Sequence, residues 1–250
     1  MSAQFSVMPF RYSNNVAAMV AFLEELGLRR RIDSEGFAEL HAGAGRVMVH
    51  AAGGKFAGGQ TYLNLMTRTV EDAVDLASRI GLEYLVWDES YGRHAVVAGP
   101  HGEWMWINEE QADDYGYHRH SARPRSDLIA SAIRPAPNFA IDLEFFAHFG
   151  FAPDPGASEW FESLRGPGEA GIIGLHYAEA SEPIYRAEEE DPRDRVPLAR
   201  LGFVTGEELP SLAQRLTEAG YPAKVVSEGG LVKVHVTDPD GVEIEIHPDS

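Results

Sequence analysis

The sequence predicts an α+β fold in which four βαβββ units form two curled mixed sheets, with the helices on the outer faces. Two observations carry this expectation. The second part of the chain slides over the first so that strand, helix and turn signals come round in the same order. Each copy then divides into similar halves, each an apolar strand, an amphipathic helix ending at a glycine, and further strands.

In the first unit, Val16, Met19, Val20, Leu23 and Leu26 share one helix face before Gly27. That is i, i+3, i+4, i+7 spacing, and glycine supplies the positive φ that ends a helix. Strands follow at 37–41 and 46–51. In the second unit Leu63 and Leu65 face the helix stripe Val70, Ala73, Val74, Ala77 and Ile80, which ends at Gly81. Alternation then turns Tyr62, Asn64 and Met66 to the other side. Its later strands are 94–97 and 104–108. The third helix is marked by Phe139, Phe145, Phe146 and Phe149 before Gly150, with Pro135 and Pro137 crowding its start. Strands at 160–164 and 172–177 complete that unit. In the fourth, Leu201 and Phe203 face a helix carrying Leu209, Leu212, Ala213, Leu216 and Ala219 before Gly220. Arg200, Gly202 and Val204 look into the concavity, and strands follow at 231–236 and 242–247.

The repeat offset grows along the chain. Arg11 lies over Arg134 and Gly27 over Gly150 at 123, His50 over His176 at 126, and Gly81 over Gly220 at 139. An insertion at 181–196 accounts for the drift. It holds Glu188-Glu189-Glu190-Asp191, with Pro183, Pro192 and Pro197 around it, and reads as a solvated loop. The boundary falls in the arginine-rich stretch 118–132, giving domains 1–122 and 123–250 with an acidic insertion in the second.

Composition narrows the function classes. The chain has 250 residues, 44% of them hydrophobic, enough for a substantial core. Its 21 Lys+Arg against 39 Asp+Glu leave a net charge of −18, a field that repels nucleic acid and anionic membranes. The acidity is uneven: 10 against 16 before residue 123, 11 against 23 after it. With no cysteine, any metal must sit on His, Asp or Glu. No apolar run is long enough to span a bilayer and residues 1–10 lack a leader pattern, so a cytoplasmic protein is expected.

Two turns carry a family resemblance. Asp238-Pro239-Asp240-Gly241 feeds the alternating run Val242-Glu243-Ile244-Glu245-Ile246, and Gly99-Pro100-His101-Gly102 feeds Glu103-Trp104-Met105-Trp106-Ile107. Proline fixes φ at such a turn and glycine accepts a positive φ, so the chain reverses into a strand. With the duplicated βαβββ unit, this resembles the vicinal oxygen chelate superfamily. That group includes glyoxalase I, extradiol dioxygenases, fosfomycin-resistance enzymes and bleomycin-resistance proteins. The resemblance implies sheets curled around a cavity. For the metal enzymes it implies a His, Gln or Glu near the Arg200 and Tyr62 positions and a Glu at the Glu245 position. Glu245 matches, but its counterpart is Trp106, and neither Arg200 nor Tyr62 suits a divalent metal.

The expectation is therefore a protein without a cofactor, in which Glu245 pairs with Arg200 across the concave sheet. Trp104 and Trp106, with Tyr62, Asn64 and Met66 beside them, offer a stacking surface for a planar or cationic small molecule. His50 and Phe56 border its entrance. The function read from this is non-catalytic capture of an antibiotic or natural product, as in bleomycin-resistance proteins. The alternative is a metal-dependent glyoxalase-like lyase or isomerase, or an extradiol dioxygenase. It would use Glu245 with His176, His235 or His247, and a divalent metal such as Zn, Ni, Mn or Fe. A homodimer is left open as an assembly.

Other features read as structural. His50 and His176 are taken as strand-end histidines bonded to backbone, and Arg11 and Arg134 as members of ion pairs. His118 and His120 flank Arg119 without a third ligand nearby, and read as loop. Gly53-Gly54 and Gly58-Gly59 bracket Lys55-Phe56-Ala57 without the Gly-Lys-Ser/Thr of a phosphate loop. They make a connection able to move over a cavity mouth.

Overall fold

The computed structural model describes residues 5–89, 92–111, 113, 116–155, 158–179, 182–186, 191 and 194–249. Four βαβββ units are present. The first comprises β2 (Phe10–Ser13), α1 (Val16–Leu26), β3 (Arg29–Ser34), β4 (Phe37–His41) and β5 (Arg46–Ala51), with β1 (Phe5–Val7) ahead of it. The second opens on an interrupted strand, β6 (Thr61–Tyr62) and β7 (Asn64–Thr67), and continues with α2 (Val70–Ile80), β8 (Tyr84–Glu89), β9 (Gly92–Ala98) and β10 (Trp104–Glu109). After the short β11 (His118–Arg119), the third runs through β12 (Leu128–Ala136), α3 (Phe139–His148), β13 (Ala152–Pro153), β14 (Phe161–Arg165) and β15 (Ile172–Tyr177). The fourth is β16 (Leu198–Thr205), α4 (Leu209–Glu218), β17 (Ala223–Glu228), β18 (Leu231–Thr237) and β19 (Glu243–Pro248).

The helix stripes and stops act as the sequence predicts. Asn15 and Asn138 cap α1 and α3 with their side chains, satisfying N–H groups that the first turn leaves open. Gly27 and Gly81 close α1 and α2 at φ 119 and 75. Gly150 and Gly220 stand one residue further on, after Phe149 and Ala219, also at positive φ.

β1 and unit two without β6 form a five-stranded sheet in the order β1-β7-β10-β9-β8, and β6 joins the other units in a larger mixed sheet. Within each half, the opening strands of its two units pair antiparallel, β2 with β6 and β12 with β16. We call units one and two the first module and units three and four the second.

The helix-side cores cross between modules. One packs α1 and its strands against α4, β18 and β19; the other packs α2, β7, β9 and β10 against α3, β14 and β15. A third cluster contains no helical residue. It joins Met8, Phe10, Tyr12, Ile32, Phe37, Met48, Tyr62, Met66, Val96, Trp106 and Val196 on the concave face of the first module.

Val196 belongs to the insertion, and that corrects its reading as a solvated loop. Trp104 N donates to the Arg195 carbonyl at 2.9 Å, Lys55 pairs with Asp194, and the Arg186 guanidinium lies 5.1 Å over the Phe56 ring. An apolar sheet face without a helix layer needs another cover, and the insertion contributes to it. Glu188, Glu189, Glu190 and Pro192 lie outside the described residues. No helix is long and apolar enough to cross a membrane among the described residues.

Candidate functional site

The concave face of the first module is built by alternation. Leu63 and Leu65 enter the helix-side core, so Tyr62, Asn64 and Met66 emerge on the opposite side. On β10, Met105 and Ile107 go to the helices, leaving Trp104 and Trp106 on the concave side. Trp106 pairs across the sheet with Asn64 and Val96. Phe10 meets the Trp106 ring at 5.6 Å and 66°. From the loop above, Phe56 stacks flat on Tyr12 at 4.3 Å and 3°. His50 closes the group, packed on Phe10 at 5.4 Å and Phe37 at 5.0 Å. The structure thus places Trp104, Trp106, Tyr62, Asn64, Met66, His50 and Phe56 on or over one face.

Burial governs the electrostatics there. It lowers the His50 pKa from 6.5 to about 4, against the opposing pull of the Glu89 carboxylate, so the ring is neutral near pH 7. The Tyr12 and Tyr62 hydroxyls are raised for the same reason and stay protonated. At its β3–β5 end the face opens into a cleft of ≈ 220 Å³, where buried Glu39 holds His41 at 2.6 Å and Arg46 at 3.2 Å. Sequence reasoning missed Tyr12, Trp87, His94 and Asn108 on this face. Strand alternation extended from His50 and Trp106 would have found them; nothing local in the sequence points to Arg186.

The second module is different. Glu245 does not pair with Arg200, contrary to expectation. Its Oε1 is 2.7 Å from Lys233 Nζ, and its Oε2 is 3.2 Å from His247 Nε2. The contact with His247, assisted by Lys233 and opposed by burial, takes the Glu245 pKa down to about 2. The physical reason is register. Glu245 stands between Gly202 and His235 in the sheet, and the long Lys233 side chain reaches it from the neighbouring strand. His235 is held by Glu243 at 2.8 Å through Nδ1, with Nε2 3.5 Å from Glu245.

His176 is not brought to Glu245. It is exposed on β15, with Nδ1 2.9 Å from the Tyr177 carbonyl oxygen, and β12 and β16 separate its strand from β19. At roughly 5 Å per strand, that is about 14 Å. Ile133 covers the floor between: a Cβ at Gly174 would lie 2.9 Å from Ile133 Cγ1, and one at Gly202 2.8 Å from its Cδ1. Among the described residues no group of three or more His, Cys, Asp or Glu could hold a metal ion. A cation already sits on Glu245 in the form of Lys233, so this donor set does not fit a divalent ion.

Two further expectations are settled by the structure. Arg11 forms a buried ion pair with Asp238, and Arg134 one with Glu103 at 2.9 Å and Asp142 at 3.5 Å. Each ties one module to the turn before the last strand of the other. His118 and His120 are not a free loop, since both face Asp33 on β3, at 3.7 and 3.0 Å.

No protein-family model and no curated protein matches the chain. Solved structures do match in fold. The 2,3-dioxygenase LapB from Pseudomonas sp. KL28 is 12% identical with a TM-score of 0.61, covering 98% of this chain and 91% of that one. A catechol 2,3-dioxygenase is 11% identical with a TM-score of 0.58, covering 98% and 87%. The homoprotocatechuate 2,3-dioxygenase from Arthrobacter globiformis is 13% identical with a TM-score of 0.58, covering 98% and 78%. These comparisons overturn the expectation of a protein without a cofactor. The three structures named are dioxygenases, and proteins delegate dioxygen chemistry to a cofactor.

Proposed function

We propose, from the premise that this chain has the fold of the vicinal oxygen chelate superfamily, that it takes a small planar organic molecule into the concave face of its first module. One observation carries the reading: two indoles and a tyrosine ring gather on the side of the sheet that no helix covers. Flat apolar surface with a few polar groups is the usual make-up of a small-molecule site. Phe56, on its glycine-flanked loop, lies over that surface. Lys55 and Arg186 already lie over the Phe56 ring, at 5.8 and 5.1 Å, which favours a neutral ligand over a cation. Equilibrium dialysis of the full chain with 2-naphthol tests the assignment. Trp104→Ala and Trp106→Ala should each weaken binding by about tenfold. Unchanged affinity in both variants overturns it.

The comparisons favour a second reading, an enzyme that acts on the bound molecule, and since the named neighbours are dioxygenases they favour a ring-cleaving dioxygenase over a lyase or isomerase. Small-molecule binding is common to both readings. Elemental analysis of the purified chain separates them. Near-stoichiometric Fe, Mn, Ni or Zn, lost in Glu245→Ala, would support the enzyme and place its centre in the second module.

A further inference from the structure

The concave face of the first module holds buried polar atoms that the fold leaves unsatisfied, and we infer from them that its ligand is a neutral planar molecule bearing N–H or O–H donors. The inference rests on the proposed function and names the ligand class for that same face. Asn64 is fully buried; its Nδ2 donates to the Leu65 carbonyl at 3.0 Å and its Oδ1 receives no hydrogen bond. Asn108 Oδ1 is likewise buried without a donor. His94 is 3% exposed and neither ring nitrogen makes a hydrogen bond; Glu89 Oε1 stands 3.6 Å from Nδ1.

These three side chains are interleaved with the aromatic ones. Asn64 is the cross-strand partner of Trp106, and Asn108 lies between Met66 and His94. The His94 ring stacks on Trp87 at 4.6 Å and 10°, and meets Trp106 edge-on at 5.4 Å. Asn64 and Asn108 are diagonal neighbours across β7 and β10, a spacing of about 7 Å. Substituents on a bicyclic ring can span that distance.

A buried acceptor without a donor is costly, and native folds leave few of them. Some other unsatisfied atoms have an explanation in charge: those of Arg134, Glu103 and Asp142 sit in an ion-paired cluster. The two amide oxygens have no such partner, whereas the His94 imidazole has the Glu89 carboxylate beside it. Those two oxygens are acceptors. The complementary ligand therefore brings hydrogens. A carboxylate would set its oxygens against the amide oxygens, and a bare hydrocarbon would leave them unmet.

Equilibrium dialysis of the full chain at neutral pH with 2-naphthol, naphthalene and 2-naphthoate tests this. The naphthol should bind about tenfold tighter than naphthalene, with naphthoate weakest. Asn64→Leu and Asn108→Leu should bring the naphthol-to-naphthalene ratio close to one, a ratio taken within each variant so that partial unfolding does not imitate the effect. Equal binding of naphthol and naphthalene to the unaltered chain, or a ratio unmoved in both variants, overturns the inference and leaves the face standing as a ligand site. Failure of all three compounds to bind overturns both.

Discussion

At the scale of single residues, His50 shows how burial sets both chemistry and stability. Its folded pKa of about 4 lies below the ordinary 6.5, so on acidification the unfolded chain takes up the proton first. The native state should therefore keep this contribution above pH 6.5 and lose it as the pH falls toward 4. The loss is on the order of 3 kcal/mol. Urea unfolding of the protein and of His50→Gln across this range checks it. The stability difference between them should move against the native protein on acidification; parallel pH profiles would show that the ring is not held neutral. The concave positions of Trp104, Trp106, Tyr62, Asn64 and Met66 were legible from alternation, because strand period alone decides a side chain's face. The partner of Glu245 was not. It depends on the register of β18 against β19 and on the reach of Lys233, and neither is written in local sequence.

At the scale of elements, helices were the readable part, since an apolar stripe followed by glycine specifies both face and end. The strand following each helix, β3, β8, β13 or β17, carried less signal. In β3, Arg29-Arg30-Arg31-Ile32-Asp33-Ser34 is largely polar, and a register shift between Arg30 and Ile32 breaks its alternation. The insertion reads as solvated because its acidic run dominates the composition, while the cover is made by residues such as Arg186 and Val196 near its ends. In the second module's sheet, Gly174 and Gly202 are required by close approach to Ile133 and not by backbone angle. Gly174→Ala should destabilise by about 1–3 kcal/mol through overpacking. Adding Ile133→Ala should recover much of that loss, a coupling that a double-mutant cycle in urea would read. Additive effects would mean the two do not touch.

For the whole molecule, the internal repeat predicted the number of units, but not how they share cores. Unit one packs on unit four and unit two on unit three, so neither half buries its helix stripes unaided. Fragments 1–122 and 123–250, expressed separately, should lack cooperative unfolding, and mixing them should restore it. Cooperative unfolding of either fragment alone would contradict the shared cores. This interlocking, with the Arg11 and Arg134 ion pairs between modules, joins the helix-side layers of the two modules. Of the four indoles, Trp104 and Trp106 lie on the proposed ligand face, while Trp160 is exposed on the third unit. The most direct test of the account is a ¹H–¹⁵N NMR titration of the indole N–H signals with 2-naphthol, assigned through single Trp→Phe variants. The account predicts that the Trp104 and Trp106 signals shift to saturation while Trp160 stays in place; movement of Trp160 with Trp104 and Trp106 unmoved would contradict it.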